Sequence, residues 1–281
     1  MSTSSTGKTR ALVLSGGGAY GAFEVGALQV LAAAGCSWNI MAGVSVGAIN
    51  AAYMAMFEPS EQRVGAEGLV RFWERIQGNA SIYKPWWCGR LAALWKGGLY
   101  NTAPLDALIR GAYDAAKVRA SGVMLSVGAV ALGSGEYRAL SSDEADFPSC
   151  VMASAAMPGI FPPVRMQGAA WVDGGVRDAT PIRDVLAMAP DAIDVIITGP
   201  RGAPPKHDRS KFTSILDVAA RSVSLLADEV FQSDLDLCAK LEVPVRVIDP
   251  AAHFEHDAFD FDPKYIRALM QQGRERAQRV L

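Results

Sequence analysis

The first place in this chain where residue types and spacing could do chemistry is Gly43-Val44-Ser45-Val46-Gly47, a serine between two glycines. It lies between a strand-like run, Ser37 to Ala42, and a helix-like run, Ala48 to Phe57. A serine hydroxyl attacks an acyl carbon only when it is exposed, oriented and close to a base, and a sharp strand-to-helix turn supplies the first two conditions. Such a turn needs glycine two positions either side of the serine, because side chains there would meet the neighbouring strand and helix. In a chain with 27 glycines the pattern also fits an ordinary turn, so its surroundings must decide.

Two further clusters bear on that decision. Gly16-Gly17-Gly18-Ala19-Tyr20-Gly21 follows a strand-like run and precedes a helix-like one, and Gly16, Gly18 and Gly21 satisfy the dinucleotide-binding spacing. That use requires an acidic residue about 20 positions on, at the end of the second strand, to hold a ribose. Here the second strand runs directly into Ser45. The loop therefore reads as an oxyanion hole, whose backbone N–H groups in Gly16, Gly17 and Gly18 face one developing negative charge. The second cluster, Asp173-Gly174-Gly175, puts a carboxylate beside backbone free to turn sharply. It can shape its own turn or project toward a neighbouring loop as a base. His207, His253 and His256 all follow Asp173, so the Ser, Asp, His order of a hydrolase triad is formally available. Too little chain precedes Ser45, however, for the strands that lead to that fold's elbow. His253-x-x-His256 with Glu255 and Asp257 resembles a metal site in composition, but it lacks a further ligand cluster and reads as solvated.

The elements that must position these residues alternate. Arg10 to Ser15 is a strand buried on both faces, because Ala11 to Leu14 run together without alternation. A helix from Ala22 to Ala34 ends at Gly35, and the second strand, the elbow and a small-residue helix follow. This β-α-β-α order predicts a mainly parallel sheet covered by helices. Glu58 to Asn79 is a polar helical stretch whose Phe72, Trp73 and Ile76 form a packing face. Ser81 to Tyr100 gathers Trp86, Trp87 and Trp95 with Tyr83, Lys84, Arg90 and Lys96. Such side chains suit an acyl-chain lid or a membrane-interface anchor; the plainer reading packs them onto the sheet. Hairpins are expected across Gly133-Ser134-Gly135 and across Gln167-Gly168, with a helix from Pro148 to Met157 between them. Beyond Asp173, Thr180-Pro181 should open a helix, Asp194 to Thr198 a strand, Ser214 to Ala239 a long helix and Val245 to Ile248 a last strand. Asp262-Pro263 then caps a terminal helix whose Arg274, Arg276 and Arg279 form a solvated face.

Bulk properties narrow the function class. A length of 281 residues, 50% hydrophobic and 20% charged, suits one globular domain over 10–281 behind a disordered tail over 1–9, with an aromatic-rich insertion near 80–100. The net charge of -2 gives no general attraction for nucleic acid or anionic membranes, so any peripheral membrane contact must be local. Cys36, Cys88, Cys150 and Cys238 are widely spaced, which points to free thiols in a reducing, cytoplasmic setting. The uncharged stretch from Val25 to Phe57 is long enough to cross a bilayer, but its glycines, serines and asparagines divide it into helix, strand, turn and helix.

Taken in order, the glycine loop, the elbow, the run from Ala153 to Val164 (Ala-Ser-Ala-Ala-Met-Pro-Gly-Ile-Phe-Pro-Pro-Val) and Asp173-Gly174-Gly175 resemble the motifs of the patatin-like phospholipase family, from about Arg10 to Thr180. The resemblance implies an α/β/α sandwich and a Ser-Asp dyad that hydrolyses lipid esters without metal or cofactor. Carried over, Ser45 is the nucleophile, Asp173 the base, and Gly16, Gly17 and Gly18 the oxyanion loop. Many members carry Lys or Arg where this chain has Tyr20, a neutral hydroxyl in place of a charge. A protein that keeps the fold only to bind lipid or a partner is the alternative, and the intact motifs favour the enzyme.

Overall fold

The computed structural model describes residues 8–87, 93–200, 225, 229–230, 232–234, 236–238 and 240–281. His207, Cys88, Arg90 and most of the helix expected over Ser214 to Ala239 lie outside the described residues. In chain order the elements are β1 (Arg10–Leu14), α1 (Gly21–Ala33), β2 (Ile40–Val44), α2 (Val46–Met54), α3 (Gln62–Glu74), β3 (Lys84–Pro85), α4 (Ala93–Lys96), β4 (Tyr100–Asn101), α5 (Ala103–Ala112) and α6 (Ala115–Ser121). They continue with β5 (Met124–Ala131), β6 (Tyr137–Ser141), α7 (Phe147–Ser154), β7 (Val164–Met166), β8 (Ala169–Asp173), α8 (Ile182–Leu186), β9 (Ala192–Ile196), β10 (Val245–Ile248) and α9 (Pro263–Val280).

The apolar runs in β1 and β2 make sense once both faces of the sheet are covered. Leu12 and Leu14 of β1 and Met41 of β2 enter a core with α1, α2, α3 and α9. Their neighbours Ala11, Val13, Ile40 and Ala42 enter a second core with Ile182 and Val185 of α8 and with Cys238. Strands buried on both sides have no use for polar alternation. The result is a mixed sheet in the order β10-β9-β1-β2-β5-β8-β7, with β6 also on β5. β10, β9, β1, β2 and β5 run parallel, whereas β6 and β8 are antiparallel to β5. This is the three-layer α/β/α architecture. No helix among the described residues is long and apolar enough to cross a membrane, and the uncharged stretch is divided among α1, β2 and α2.

Register positions the chemistry. Since β6 pairs with Ser126 to Val130 of β5, β2 and β8 must share its other edge, β2 ending at Val44 opposite Gly128 and β8 at Asp173 opposite Ala129. The residue after β2 and the last residue of β8 are therefore brought together at neighbouring positions along one strand.

Several local expectations shift. β2 starts at Ile40 instead of Ser37, because the Gln62 side chain takes both the N–H and the C=O of Trp38, each at 2.8 Å. α8 begins at Ile182, and Thr180 does not cap it: the Thr180 N–H is held by Asp234 and its buried hydroxyl has no partner among the described residues. Asp262 does cap α9, accepting from the N–H groups of Lys264 and Tyr265. Arg276 of that helix is not simply solvated, since it bonds to the carbonyl (2.6 Å) and carboxylate (2.8 Å) of Asp249.

Candidate active site

Ser45 occupies a sharp turn between β2 and α2, with φ 56° and ψ −125°. A serine at positive φ costs on the order of 1–3 kcal/mol and persists only where the surroundings over-determine it. Here they do. A side chain at Gly43 would collide with the carbonyl of Gly47, and one at Gly47 with the carbonyl of Leu14 in β1. The Ser45 N–H is also fixed, donating to Oγ of the fully buried Ser154 at 3.0 Å. Ser154 stands inside the quoted run near the end of α7, yet residue type alone gave no sign that it would hold the elbow.

Asp173 is only 2% exposed. Its Oδ1 accepts the Gly175 N–H at 2.8 Å, and the Ser45 hydroxyl lies near enough to favour its charged form. The two sequence readings of this aspartate are thus compatible: it shapes its own turn and faces the serine. Burial pushes its carboxyl up to about 6, with the Gly175 N–H and the nearby Ser45 hydroxyl pulling the other way. A carboxylate that is costly to keep ionised is a better proton acceptor.

The three glycines of the loop are not equivalent. Gly16 packs against Ser45, where an added Cβ would come within 3.2 Å of the serine Cβ, and its N–H already donates to the Ala179 carbonyl at 3.1 Å. Gly17 and Gly18 line a cavity together with Ser45. Gly18, at φ 57°, leaves no room for a side chain because the carbonyl of Ala258 lies against it.

That cavity encloses about 150 Å³. Its walls are apolar: Phe72, Trp73 and Ile76 at the end of α3, Leu105 and Leu108 of α5, Ile82, Met157 and Phe161, and Phe259 and Phe261 from the loop before α9. The sequence reading gave Phe72, Trp73 and Ile76 to packing alone; they are buried, and they also face the serine's cavity. The Ala258–Phe261 stretch went unnoticed because nothing in its composition marks it. It is held by Ala19 N–H to the Ala258 carbonyl (2.7 Å), Tyr83 hydroxyl to the Phe259 carbonyl (2.8 Å) and Phe261 N–H to Asn79 Oδ1 (2.8 Å).

Trp73 is oriented by a buried polar chain. Its Nε1–H donates to Asn50 Oδ1 at 2.8 Å, and Asn50 Nδ2 donates to the Gly21 carbonyl and to Glu24 Oε2 at 2.9 Å. Glu24 is fully buried, and burial raises its carboxyl well above the ordinary range.

The two described histidines lie elsewhere. Neither His253 nor His256 lines the cavity. His256 Nδ1 is 2.6 Å from Asp260 Oδ2, and its ring stacks on Tyr265 with centroids 4.4 Å apart. Tyr20 points away from the cavity, donating its hydroxyl to the His256 carbonyl at 2.8 Å and packing on Phe254. The tryptophan segment divides. Trp86 is half-buried, with its Nε1–H on the Gly98 carbonyl at 3.0 Å. Trp87 is 93% exposed and Trp95 65% exposed, against the packing expectation. The segment joins the cavity rim through Leu99 N–H to the Gly159 carbonyl and Tyr100 N–H to the Ile160 carbonyl.

A strained serine and a buried carboxylate thus stand near each other on a three-layer α/β/α sheet. The chain belongs to the patatin-like phospholipase family, whose model matches residues 12–186. The matched span contains the glycine loop, the elbow and Asp173, and stops short of the Ala258–Phe261 stretch. Membership supports lipid acyl hydrolysis as the general activity. A comparison with the curated proteins found no match. Among solved structures the chain is similar to VipD from Legionella pneumophila, with 13% identity and a TM-score of 0.47, covering 97% of this chain and 66% of that one. The chain thus spans just under two thirds of VipD's length in that structure.

Proposed function

We propose that this protein hydrolyses carboxylic esters of lipids through an acyl-enzyme on Ser45, with Asp173 as the base. Asp173 takes the hydroxyl proton as Ser45 Oγ bonds to the acyl carbon, and the carbonyl π pair moves onto oxygen. N–H groups of Gly17 and Gly18 stabilise that oxyanion, while Gly16 contributes by its close approach to the serine. Collapse expels the alcohol, which leaves with the proton from Asp173, and the acyl group stays on Ser45. Water then loses a proton to Asp173 as it adds to the acyl carbon, and the fatty acid departs as the proton returns to Ser45. No metal or cofactor enters these steps. The observation that carries the reading is a strained serine near a buried carboxylate at the edge of an apolar cavity, with no charged side chain among the described residues of its lining. Such a cavity suits the acyl arm of a lipid. Peripheral contact with a lipid surface is supported by Trp87 and Trp95, exposed on a segment joined to the cavity rim.

Two measurements test the proposal together. A serine-directed fluorophosphonate should label the parent, and Ser45→Ala should lose both labelling and ester hydrolysis while keeping the parent's circular dichroism. His253→Ala and His256→Ala should each stay within a few-fold of the parent. Residual turnover by Ser45→Ala, or a loss on the order of a thousandfold in one histidine variant, would move the chemistry to another residue.

A further inference from the structure

The Gly16 peptide, which leads into the two cavity-facing glycines, is held on both sides by groups that do not touch the cavity. Its N–H donates to the Ala179 carbonyl at 3.1 Å. Its carbonyl accepts from the Thr198 hydroxyl, and Thr198 is itself fixed by its N–H on Ser15 Oγ at 3.0 Å. Ala179 is in turn anchored from behind. Oδ2 of the buried Asp234 accepts the N–H groups of both Ala179 (3.0 Å) and Thr180 (3.1 Å). Arg183 reaches the other Asp234 oxygen at 3.4 Å and Asp178 at 3.7 Å.

Ala179 also ends the segment that begins at Asp173. That segment is pinned at its start by the pairing of β8 with β5 and folded into a turn by Arg177 N–H (2.9 Å) and Asp178 N–H (3.0 Å) on the Gly174 carbonyl. Asp234 therefore fastens, through one residue, both the loop that carries the acid facing Ser45 and the loop that carries the oxyanion donors. Two consecutive amides on one carboxylate oxygen, at 3.0 and 3.1 Å, fix that oxygen and the turn that carries them to each other.

We infer that Asp234 and Thr198 are positioning residues of the catalytic centre: Asp234, acting through Ala179, and Thr198 directly set the Gly16 peptide so that the Gly17 and Gly18 N–H groups meet the oxyanion formed at Ser45. The inference rests on the proposed role of Ser45 and Asp173. Oxyanion donors act from about 2.7–3.1 Å, and a displacement of about 1 Å can cost a hundredfold. An anchor one peptide away is thus felt in the transition state more than in substrate binding.

The experiment is steady-state kinetics on a soluble short-chain ester with the full chain, each variant's folded fraction set by thermal unfolding. Asp234→Ala should lower kcat by about tenfold to a hundredfold with KM within about twofold. Asp234→Asn loses the charge as fully but keeps an oxygen for the two amides, and should return to within a few-fold of the parent. Thr198→Val removes the hydroxyl at nearly constant volume and should also lower kcat with KM retained; it decides the matter if Asp234→Ala does not fold. Parental kcat per folded molecule in Asp234→Ala or in Thr198→Val overturns the inference. So do equal losses of kcat and melting temperature in Asp234→Ala and Asp234→Asn, the mark of a purely structural role. A parent without esterase activity would instead refute the proposed function itself.

Discussion

The acid limb of the pH profile should belong to Asp173. An unperturbed aspartate titrates near 3.9 and a histidine near 6.5, so a bare aspartate gives up roughly 2.6 pK units, or about 3.5 kcal/mol, as a base. Burial lifts Asp173 to about 6, which recovers on the order of 3 kcal/mol of that deficit. On a soluble neutral ester, kcat/KM should therefore fall about tenfold per pH unit below 6, to roughly one tenth of its plateau at pH 5. Asp173→Asn keeps the shape but cannot take the proton, and should lose at least about a hundredfold in kcat with KM much less affected. The same burial carries a stability signature. A carboxyl raised above its unfolded value favours folding most below about pH 4, and that contribution is lost as pH rises through 6. Asp173→Asn should therefore be more stable than the parent at pH 7, by up to about 3 kcal/mol, with the difference shrinking toward pH 4. Equal kcat/KM at pH 5 and 7, or near-parental kcat in folded Asp173→Asn, would reduce Asp173 to a turn residue.

Two further outcomes follow from other parts of the structure. Replacing Trp87 and Trp95 with alanine should weaken action on aggregated long-chain esters far more than on soluble short-chain ones, because both rings are exposed on a segment whose far end joins the cavity rim. Equal losses on both substrates would mean that the rings only support the segment. Glu24→Gln should match the parent near pH 4 and become progressively more stable than it above that, since the raised carboxyl of Glu24 costs stability as pH rises from its unfolded value. Chemical denaturation at pH 4, 6 and 8 measures this, and a constant difference across the series would mean that the Glu24 carboxyl titrates alike in the folded and the unfolded chain.

What could be read from the residues was whatever local chemistry dictates. Ser45 was legible because a strained turn demands flanking glycines, and the parallel order of the first strands because uninterrupted apolar runs need two covered faces. The hairpin across Gln167-Gly168 followed from its turn residues, and both adopt positive φ, 53° and 75°. The cavity was not legible, because its walls converge from α3, α5, the segment after α7 and the loop before α9. Phe72 and Trp73 sit at helical spacing that serves a core equally well, and only the tertiary arrangement turns them toward Ser45. Asp234 was hidden for a related reason: its partners Ala179 and Thr180 are about 55 residues away and are engaged through backbone amides, which leave no trace in residue type.

Tyr20 shows how a departure in sequence can leave the reaction intact while changing what surrounds it. Its hydroxyl donates to the His256 carbonyl and its ring lies 4.6 Å from that of Phe254, so the position serves the loop that brings Ala258, Phe259 and Phe261 over the cavity. A lysine or arginine there would give up the ring contact with Phe254 and carry its charge into a site where burial already raises the tyrosine's pKa. Nothing in the proposed proton transfers needs that charge, since the donors are backbone groups and the base is Asp173. Without a cation among the described residues of the lining, selection inside the cavity rests on burying the acyl chain, worth about 0.8 kcal/mol per methylene. A phosphate, if the substrate carries one, is left to groups outside it, such as the exposed Lys84 and Lys96 of the tryptophan segment. The neutral hydroxyl at position 20 thus weakens the case for head-group recognition inside the site, and leaves the case for ester hydrolysis as it was.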